Sequence, residues 1–489
     1  MSETAPVSPR PDTPAKRTRS YSEYSHANPH VVNEVVEPDL CVRCGACEPA
    51  CPFDIIRFDA DEYPYITDEQ ECRVNCTRCL QVCPGADVDF TTLDRQMFGK
   101  SPHPDSITGI AVGSYVAHAT DGALRKSATS GGFVTAFLTF LLEKKLIDGA
   151  LVLGTRVDED GWHQEPFIAR SVEQLRAAAK SKYMVVPMLK PLKEIEEHDG
   201  RYAAVLLPCY AHALKKYLKT TPKLRKRITV TIGLYCNVAL DAHLLRDLCE
   251  MKGIDPRQVE HLDFRAGQWP GGVFARLKGG EPFKVLKNEE MKDEFNTLKL
   301  FYTPNRCNMC TDFSAEYTDI AVGDPWLRGK DGSYLYPDDR TTVLTRSEAG
   351  EDLLHAAVAA GYLELEDLPL QTFMVNFEKS ARYKRDLVPQ YLELRKRLGR
   401  PVPRYHRQIG HDLSQKRIWQ LRLGIKTAVL RQVSKHKWLR RILLSLAQSR
   451  PAILYLRWNR KRKARSFAAA YERSQVHVAG LQHQRIGPP

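Results

Sequence analysis

No apolar run in the 489 residues reaches the length of about eighteen that a membrane-spanning helix needs. The longest, FVTAFLTFLL at 133–142, has the length of a buried helix. The opening stretch, MSETAPVSPRPDTPAKRTRS, has no apolar segment, so it lacks the pattern of a secretory signal and the cytoplasm is the expected compartment. No Ser-His-Asp arrangement and no pair of carboxylates stands out, which disfavours hydrolysis. Acids nearly vanish from the C-terminal end. From Pro401 onward twenty Lys and Arg face only Asp412 and Glu472, a balance of +18, whereas the whole chain carries +13. The first 400 residues therefore sum to −5, and the basicity belongs to one tail. Hydrophobic content of 43% and charged content of 27% are ordinary for a globular protein, so a large core can be buried. The length suggests about three domains.

Cysteine, by contrast, is abundant. There are thirteen, and without a secretory pattern they point to metal binding in a reducing compartment rather than to disulfides. Eight fall between Cys41 and Pro84. The first run is C-x2-C-x2-C-x3-C-P, at Cys41, Cys44, Cys47, Cys51 and Pro52. The second is C-x3-C-x2-C-x3-C-P, at Cys72, Cys76, Cys79, Cys83 and Pro84. Thiolates at this spacing hold cubane iron–sulfur clusters, and the fourth Cys of each run ligates the other cluster. Three close thiolates wrap one corner of a cube, and the x3-C-P step carries the chain to its neighbour. This assigns Cys41, Cys44, Cys47 and Cys83 to one [4Fe–4S] cluster, and Cys72, Cys76, Cys79 and Cys51 to a second. Zinc sites use paired C-x2-C ends with longer gaps, and disulfide scaffolds are short and secreted. The extra residue in Cys72-x3-Cys76 departs from the usual spacing.

Around these runs the chain divides by composition. Residues 1–30, rich in Pro, Ser, Thr and charge, read as a disordered tail. Residues 31–95 form a ferredoxin-type unit. Between its runs, Ile55, Ile56 and Phe58, then Tyr63, Tyr65 and Ile66, flank a polar turn and predict a hairpin. From about 111 the pattern becomes strand–helix–strand, so the predicted fold class is α/β (mixed α+β): an N-terminal ferredoxin-like domain, a central α/β domain and a C-terminal basic helical extension. AVGSYVAHA and LIDGALVLG read as strands around a helix that begins at Ser130-Gly131-Gly132, with Thr129 or Ser130 as its N-cap. Free N–H groups at such a start attract anions such as pyrophosphate. A Gly-lined N-cap without a ligand is the plainer alternative. SVEQLRAAAKSKYMVVP and KPLKEIEE have helical periodicity. YAAVLLPCYAHALKKYL reads as a buried strand ending at Pro208-Cys209, and ITVTIGLYC as another ending at Cys236. Strand ends of this kind are where open α/β sheets bind ligands.

Cys249, on the amphipathic LDAHLLRDLCEMKG, reads as a core thiol. That leaves Cys209, Cys236, Cys307 and Cys310, two at strand ends and two in a C-x2-C loop. Four thiolates from three segments could close a third [4Fe–4S] cluster or a structural zinc site; alternatively the first two are ordinary buried strand cysteines. Beyond 400, residues 414–448 and 452–475 read as two basic helices broken at Ser449-Arg450-Pro451. Leu439, Ile442, Leu443 and Leu446 recur there at helical spacing beside Arg440 and Arg441.

The motifs GALRKSATSGGFVTAFLTFLLEKKLIDGALV, SKYMVVP, LLPCYAHALKK, GLYC, FRAGQWPGG and RCNMCTD…TDIAVGDPW occur in that order. Together they resemble the coenzyme F420 hydrogenase/dehydrogenase beta-subunit family, over about residues 40–385. F420 is a deazaflavin. The family includes F420H2 dehydrogenase input subunits and 7-hydroxymethyl chlorophyll a reductases, and its members bind FAD and iron–sulfur clusters. The resemblance implies a family N-terminal region at 105–185 and a C-terminal FAD and iron–sulfur region at 186–385. It implies FAD contacts at Ser130, Gly131 and Gly132, at Lys182 and Tyr183, and at Arg265, Trp269, Gly323 and Asp324. It also favours the third cluster at Cys209, Cys236, Cys307 and Cys310. For Arg265, Trp269, Gly323 and Asp324, a turn packed on the sheet is the structural alternative. The basic extension at 400–489 is outside the family pattern, and no motif names a substrate.

Clusters plus a flavin imply conversion between one-electron and two-electron chemistry. The leading expectation is an FAD and iron–sulfur oxidoreductase working between reduced F420 and an iron–sulfur-linked partner. A ferredoxin-fed reductase of an organic metabolite, without F420, is the second. A non-catalytic electron-transfer subunit of a larger complex is the third. Expected partners are a ferredoxin or partner subunit and a small-molecule substrate. The tail suggests peripheral contact with the inner face of a membrane; the alternatives are a solvated face packed on its own domain and, more weakly, nucleic acid.

Overall fold

A computed structural model describes residues 29–406, 429 and 436–459, apart from 74, 103–105, 268–270, 288–290, 328–333 and 337–339. The first cysteine run ends in a short helix, α1 (Cys47–Ala50). Then come β1 (Ile56–Phe58), β2 (Pro64–Ile66) and, in the second run, α2 (Arg78–Gln81). The predicted hairpin is present, with Ile56 opposite Ile66 and Phe58 opposite Pro64. The Asp59 carboxylate fixes its turn by accepting from the backbone N–H groups of Asp61 and Tyr63, each at 2.9 Å. β3 (Asp87–Val88) follows. The core of this unit joins Val31, Val35, Leu40 and Ile56 to Val388, Tyr391 and Leu392 from far down the chain. The cysteine-rich unit is therefore built into the body.

The body is one eight-stranded sheet with a smaller sheet beside it. β4 (Gly113–Ala119) leads to α3 (Phe133–Glu143), then to β5 (Gly149–Asp158) and β6 (Gly161–Ala169). α4 (Val172–Ala177), β7 (Tyr202–Leu206), α5 (Pro208–Thr220), β8 (Ile228–Leu234) and α6 (Leu244–Met251) come next. β9 (Val259–Ala266), β10 (Gly272–Leu277) and β11 (Phe283–Lys284) make the small antiparallel sheet. After α7 (Met291–Tyr302), the strands β12 (Ile320–Gly323), β13 (Thr341–Thr345) and β14 (Leu363–Asp367) complete the large one. Its order is β14-β4-β13-β12-β8-β7-β5-β6. β5, β7, β8 and β12 run parallel. β13 is antiparallel to both β12 and β4, so β4 points the same way as β12. Five strands thus deliver their C-terminal ends to one edge, where open sheets place ligands. The central strands are apolar because both faces are covered. Phe133, Phe137, Phe140 and Leu141 of α3 pack on one side. Tyr210, Leu214 and Tyr217 of α5 pack on the other, together with Ala46 and Ala50 of the first cysteine run.

Several expectations change. The SGG helix starts at Phe133, with Gly132 rather than Thr129 or Ser130 as N-cap. Gly131 and Gly132 have φ of 59° and 72°, a left-handed bend that keeps the chain non-helical until residue 133. The helix predicted through SVEQLRAAAKSKY closes after one capped turn and a half. Ser171 and Gln174 form its capping box, but Lys180 turns left-handed at φ 72°, and Tyr183 to Val185 run extended against Leu240. Cys209 lies in the first turn of α5, behind Pro208, not on the strand itself. The small sheet and the antiparallel strands β6, β13 and β14 had no clear signal in the sequence.

Beyond these strands, α8 (Val388–Arg397) leads to β15 (Arg404–Tyr405), which pairs in parallel with β3. α9 (Lys437–Ala447) follows, and 450–459 is again helical. The break falls at Gln448-Ser449, because Pro451 fits a first helical turn. The predicted leucine stripe is split. Arg440 and Leu444 face the body, while Ile442 and Leu446 face outward. Residues 1–28 of the disordered tail predicted at 1–30, and the remainder of the two basic helices, lie outside the described residues. No helix among the described residues is long and apolar enough to cross a membrane.

Candidate functional site

All thirteen cysteines are free, and eleven fall into three groups. Cys41, Cys44, Cys47 and Cys83 are buried together. Burial pushes the Cys41 thiol up to about 12, and Cys83 raises it further. Cys44 is raised by burial and then by Cys83, and Cys47 by burial and then by Cys44, Cys41 and Cys83. The Cys79 thiol is pushed up to about 11, by burial and then by Cys83, Cys72 and Cys76. Cys72 and Cys76 are only half-buried, so this second group reaches the surface. Cys51 is the C-cap of α1, packed on the same core.

The third group comes from three separate segments. Cys209 lies in the first turn of α5, Cys236 follows β8, Cys307 sits within the tight turn Asn305–Met309 and Cys310 caps its end. The Cys209 thiol is raised well above its usual value by burial, then by Cys310, Cys236 and Cys307. Cys236 is held up by burial, with Cys307 and Cys310 again raising it. Cys209 also responds to Cys44, and Tyr210 lies beside both. The third group is therefore next to the first. Four buried sulfurs that oppose one another's ionisation can become thiolates only around positive charge. A cluster's iron supplies that, so the first and third donor sets fit one. Cys249 stands apart, in a core with Leu245 and Leu248, and burial pushes its thiol up to about 11.

Fixed cations surround these sulfurs. The Lys384 ammonium is buried and donates to the Cys307 carbonyl at 3.1 Å. Burial opposes its charge, but Cys310, Cys236 and Cys307 outweigh that and favour the charged form. Arg306 donates to the Pro84 carbonyl at 3.1 Å and lies near Cys209 and Cys310 on one side and Cys41 and Cys83 on the other. Gly45, at φ 85°, brings the first run against the body: a Cβ there would lie 2.6 Å from the Pro187 carbonyl oxygen.

The remaining candidates line the same sheet edge. Arg265, at the end of β9, donates to Asp324 at 2.7 Å and to the Tyr183 hydroxyl at 3.2 Å. Its guanidinium lies over Trp326, 5.7 Å from the ring centroid. Asp324 follows β12, and Thr342 of β13 donates to the neighbouring Gly323 carbonyl at 2.9 Å. The Ser130 hydroxyl donates to the Arg340 carbonyl at 2.8 Å, tying the SGG bend to the start of β13. Thr129 accepts from the Ser181 N–H at 3.0 Å, so the bend also touches the segment that carries Lys182 and Tyr183. The first N–H groups of α3 have no side-chain cap. The Lys182 ammonium donates to the carbonyls of Ala178, Ala179 and Lys180, just past α4, and burial lowers its pKa to about 8. Trp269 lies outside the described residues.

Residues 114–193 match the N-terminal model, and residues 199–370 the C-terminal model, of the coenzyme F420 hydrogenase/dehydrogenase beta subunit, 252 of the 489 residues in all. The chain belongs to this family. Residues 40–86 match the 4Fe-4S dicluster domain. Among curated relatives of this beta-subunit-type chain is the coenzyme F420-dependent sulfite reductase of Methanocaldococcus jannaschii. It is 29% identical over 373 residues, which is 73% of this chain and 52% of that protein. The chain thus spans about half of that relative's length. The coenzyme F420 hydrogenase subunit beta of Methanothermobacter thermautotrophicus is 28% identical over 299 residues, 59% of this chain and 96% of that one. An F(420)H(2) dehydrogenase subunit of Methanosarcina mazei is 26% identical over 338 residues, 66% of this chain and 84% of its own length.

Within this beta-subunit fold, Arg43, Lys384, Arg306, Tyr210 and Trp326 are the neighbours that sequence reasoning missed. A lone Lys or Arg in a polar helix looks like a surface charge. Lys384 gives one local hint, a wide helical turn at Tyr383–Leu387, of the kind often found at functional sites.

Proposed function

We propose that the chain is an iron–sulfur flavoprotein oxidoreductase working between reduced coenzyme F420 and an iron–sulfur-linked partner subunit or ferredoxin. One observation carries the reading. The three thiol groups are consecutive neighbours, from the half-exposed Cys72 and Cys76, through the buried Cys41–Cys83 group, to Cys209 and Cys236 on the sheet edge that also holds Arg265 and Asp324. In this reading Cys209, Cys236, Cys307 and Cys310 hold a third [4Fe–4S] cluster. Ser130–Gly132, Lys182, Tyr183, Arg265 and Asp324 hold FAD. The uncapped N–H groups of α3 face its phosphates, and the fixed Arg265–Asp324 pair presents a charge-assisted donor and acceptor. Bound flavin exchanges two electrons with an organic substrate and single electrons with a cluster. Lys384 and Arg306 keep positive charge beside the sulfurs, and the packed core around them excludes water.

The test is anaerobic reconstitution of the full chain, with iron and flavin counted. About twelve irons per chain support three clusters, and about eight support two, at four per cubane. Cys310→Ser should remove the third set alone. Reduced deazaflavin mixed with the loaded protein should bleach the flavin absorbance. If ferredoxin reduces the flavin rapidly and the deazaflavin does not, the F420 reading fails. A ferredoxin-fed reductase then takes its place, as the surface position of Cys72 and Cys76 would allow. Absence of flavin after reconstitution overturns both.

A further inference from the structure

The helices beyond residue 436 have two unlike faces. The inner face of α9 is committed to the body: Arg440 binds Asp247, Leu444 enters the core, and Lys437 and Arg441 pair with Glu250. The outer face presents Trp438, Ile442 and Leu446, which are 63%, 49% and 59% exposed. At four-residue spacing they make one row along the helix. The next helical stretch, 450–459, exposes Leu454, Tyr455 and Trp458, with the rings of Tyr455 and Trp458 6.0 Å apart. Singly exposed apolar residues are normal, but three large ones on each of two successive helices mark a contact surface. Apart from Asp247 and Glu250, which Lys437, Arg440 and Arg441 neutralise, the stretch itself carries charge of one sign. Between Asp412 and Glu472 there are sixteen Lys and Arg and no acid.

We infer that this face docks reversibly on an anionic phospholipid surface, with α9 and the 450–459 helix lying in the interface. Apolar rows flanked by basic residues bind in that way. Trp and Tyr suit the headgroup level, and single-sign charge complements an anionic leaflet better than a protein surface of mixed charge. Arg440 and Leu444 would hold the oxidoreductase body against the bilayer, without any spanning segment.

The test uses the loaded full chain with vesicles of phosphatidylcholine, alone or mixed with phosphatidylglycerol. Sedimentation with the mixed vesicles only, weakening as salt rises, is expected. The triple variant Trp438→Ser, Ile442→Ser, Leu446→Ser should bind at least about tenfold more weakly. Arg450→Gln with Arg457→Gln should flatten the salt dependence. All these side chains point outward, so thermal midpoint and cluster absorbance serve as fold controls. If the triple variant does not fold, quenching of wild-type tryptophan fluorescence by brominated lipid, diminished in Trp438→Phe, answers the same question. Equal binding to neutral and mixed vesicles, or binding to neither, overturns the inference. So does self-association that the triple variant abolishes without any vesicle binding; the occupant would then be a second copy of the chain.

Discussion

Replacing Arg43 by Met should loosen the cysteine-rich unit from the body. Arg43 lies between Cys41 and Cys44 and is 1% exposed. Its Nη1 is 2.6 Å from the Asp241 carboxylate and donates to the Asp61 carbonyl at 3.0 Å. The guanidinium sits 4.5 Å over the Tyr63 ring. One side chain thus joins the first cysteine run, the hairpin and the turn after β8. Met keeps the length but leaves Asp241 without its cation. Breaking a buried ion pair from one side costs about 3–5 kcal/mol. The Asp241 side chain keeps 16% exposure, so water recovers part of the loss, and a cost near the lower end, about 3 kcal/mol, is expected. The same interface contains its own control. Arg246 also reaches the hairpin, pairing with Asp61, but is 43% exposed. An exposed pair contributes only about 0–1 kcal/mol, so Arg246→Met should be nearly silent. Urea unfolding of the loaded protein, followed by cluster absorbance and tyrosine fluorescence, separates the two. A loss below about 1 kcal/mol for Arg43→Met, or one no larger than for Arg246→Met, refutes the reasoning. The double variant Arg43→Met, Asp241→Leu should lose less than the two single losses combined, because no unpaired charge remains.

Lys384→Met removes a buried positive charge from beside Cys236, Cys307 and Cys310, so the reduced, more negative state of a cluster there loses support. Redox titration followed by electron paramagnetic resonance should show one midpoint shifted to lower potential and the other two unmoved; three unmoved midpoints would remove Lys384 from the site. A Cβ at Gly323 would lie 2.1 Å from the Tyr235 ring, so Gly323→Ala should cost about 1–3 kcal/mol in thermal melts and weaken flavin retention. Lys182 is lowered by burial from 10.5 to about 8, so the unfolded chain binds more protons across that window. Flavin-free protein should therefore gain stability as pH rises from about 8 towards 10.5, and Lys182→Met should abolish the gain. A gain that survives in the variant assigns the effect elsewhere.

Some of this architecture was legible in the sequence, and the reason is locality. Three thiolates around one corner of a cubane must be close in the chain, so Cys41, Cys44 and Cys47, or Cys72, Cys76 and Cys79, can be read as groups without a fold. The hairpin between them follows from alternating apolar residues, and the buried strands β7 and β8 from short apolar runs. The helix start at Ser130–Gly132 was placed to within a few residues, because two glycines mark a bend but not which of them closes it. The basic tail was visible from charge alone.

The sequence by itself therefore determined what requires only near neighbours: the ligand spacing of the dicluster unit, the alternation of its hairpin, and the basicity of the last ninety or so residues. Tertiary structure decided everything that depends on which strands lie side by side. Cys209, Cys236 and the Cys307–Cys310 turn are tens of residues apart, and become neighbours because β7, β8 and β12 are adjacent and parallel. Arg265, on the small sheet, meets Asp324 and Tyr183 because that sheet packs beside the C-terminal edge of the large one. Arg43, Lys384 and Arg440 look like surface charges in one dimension. Only the packed fold, by taking water from them and supplying Asp241, the thiols and Asp247 in its place, gives them their roles.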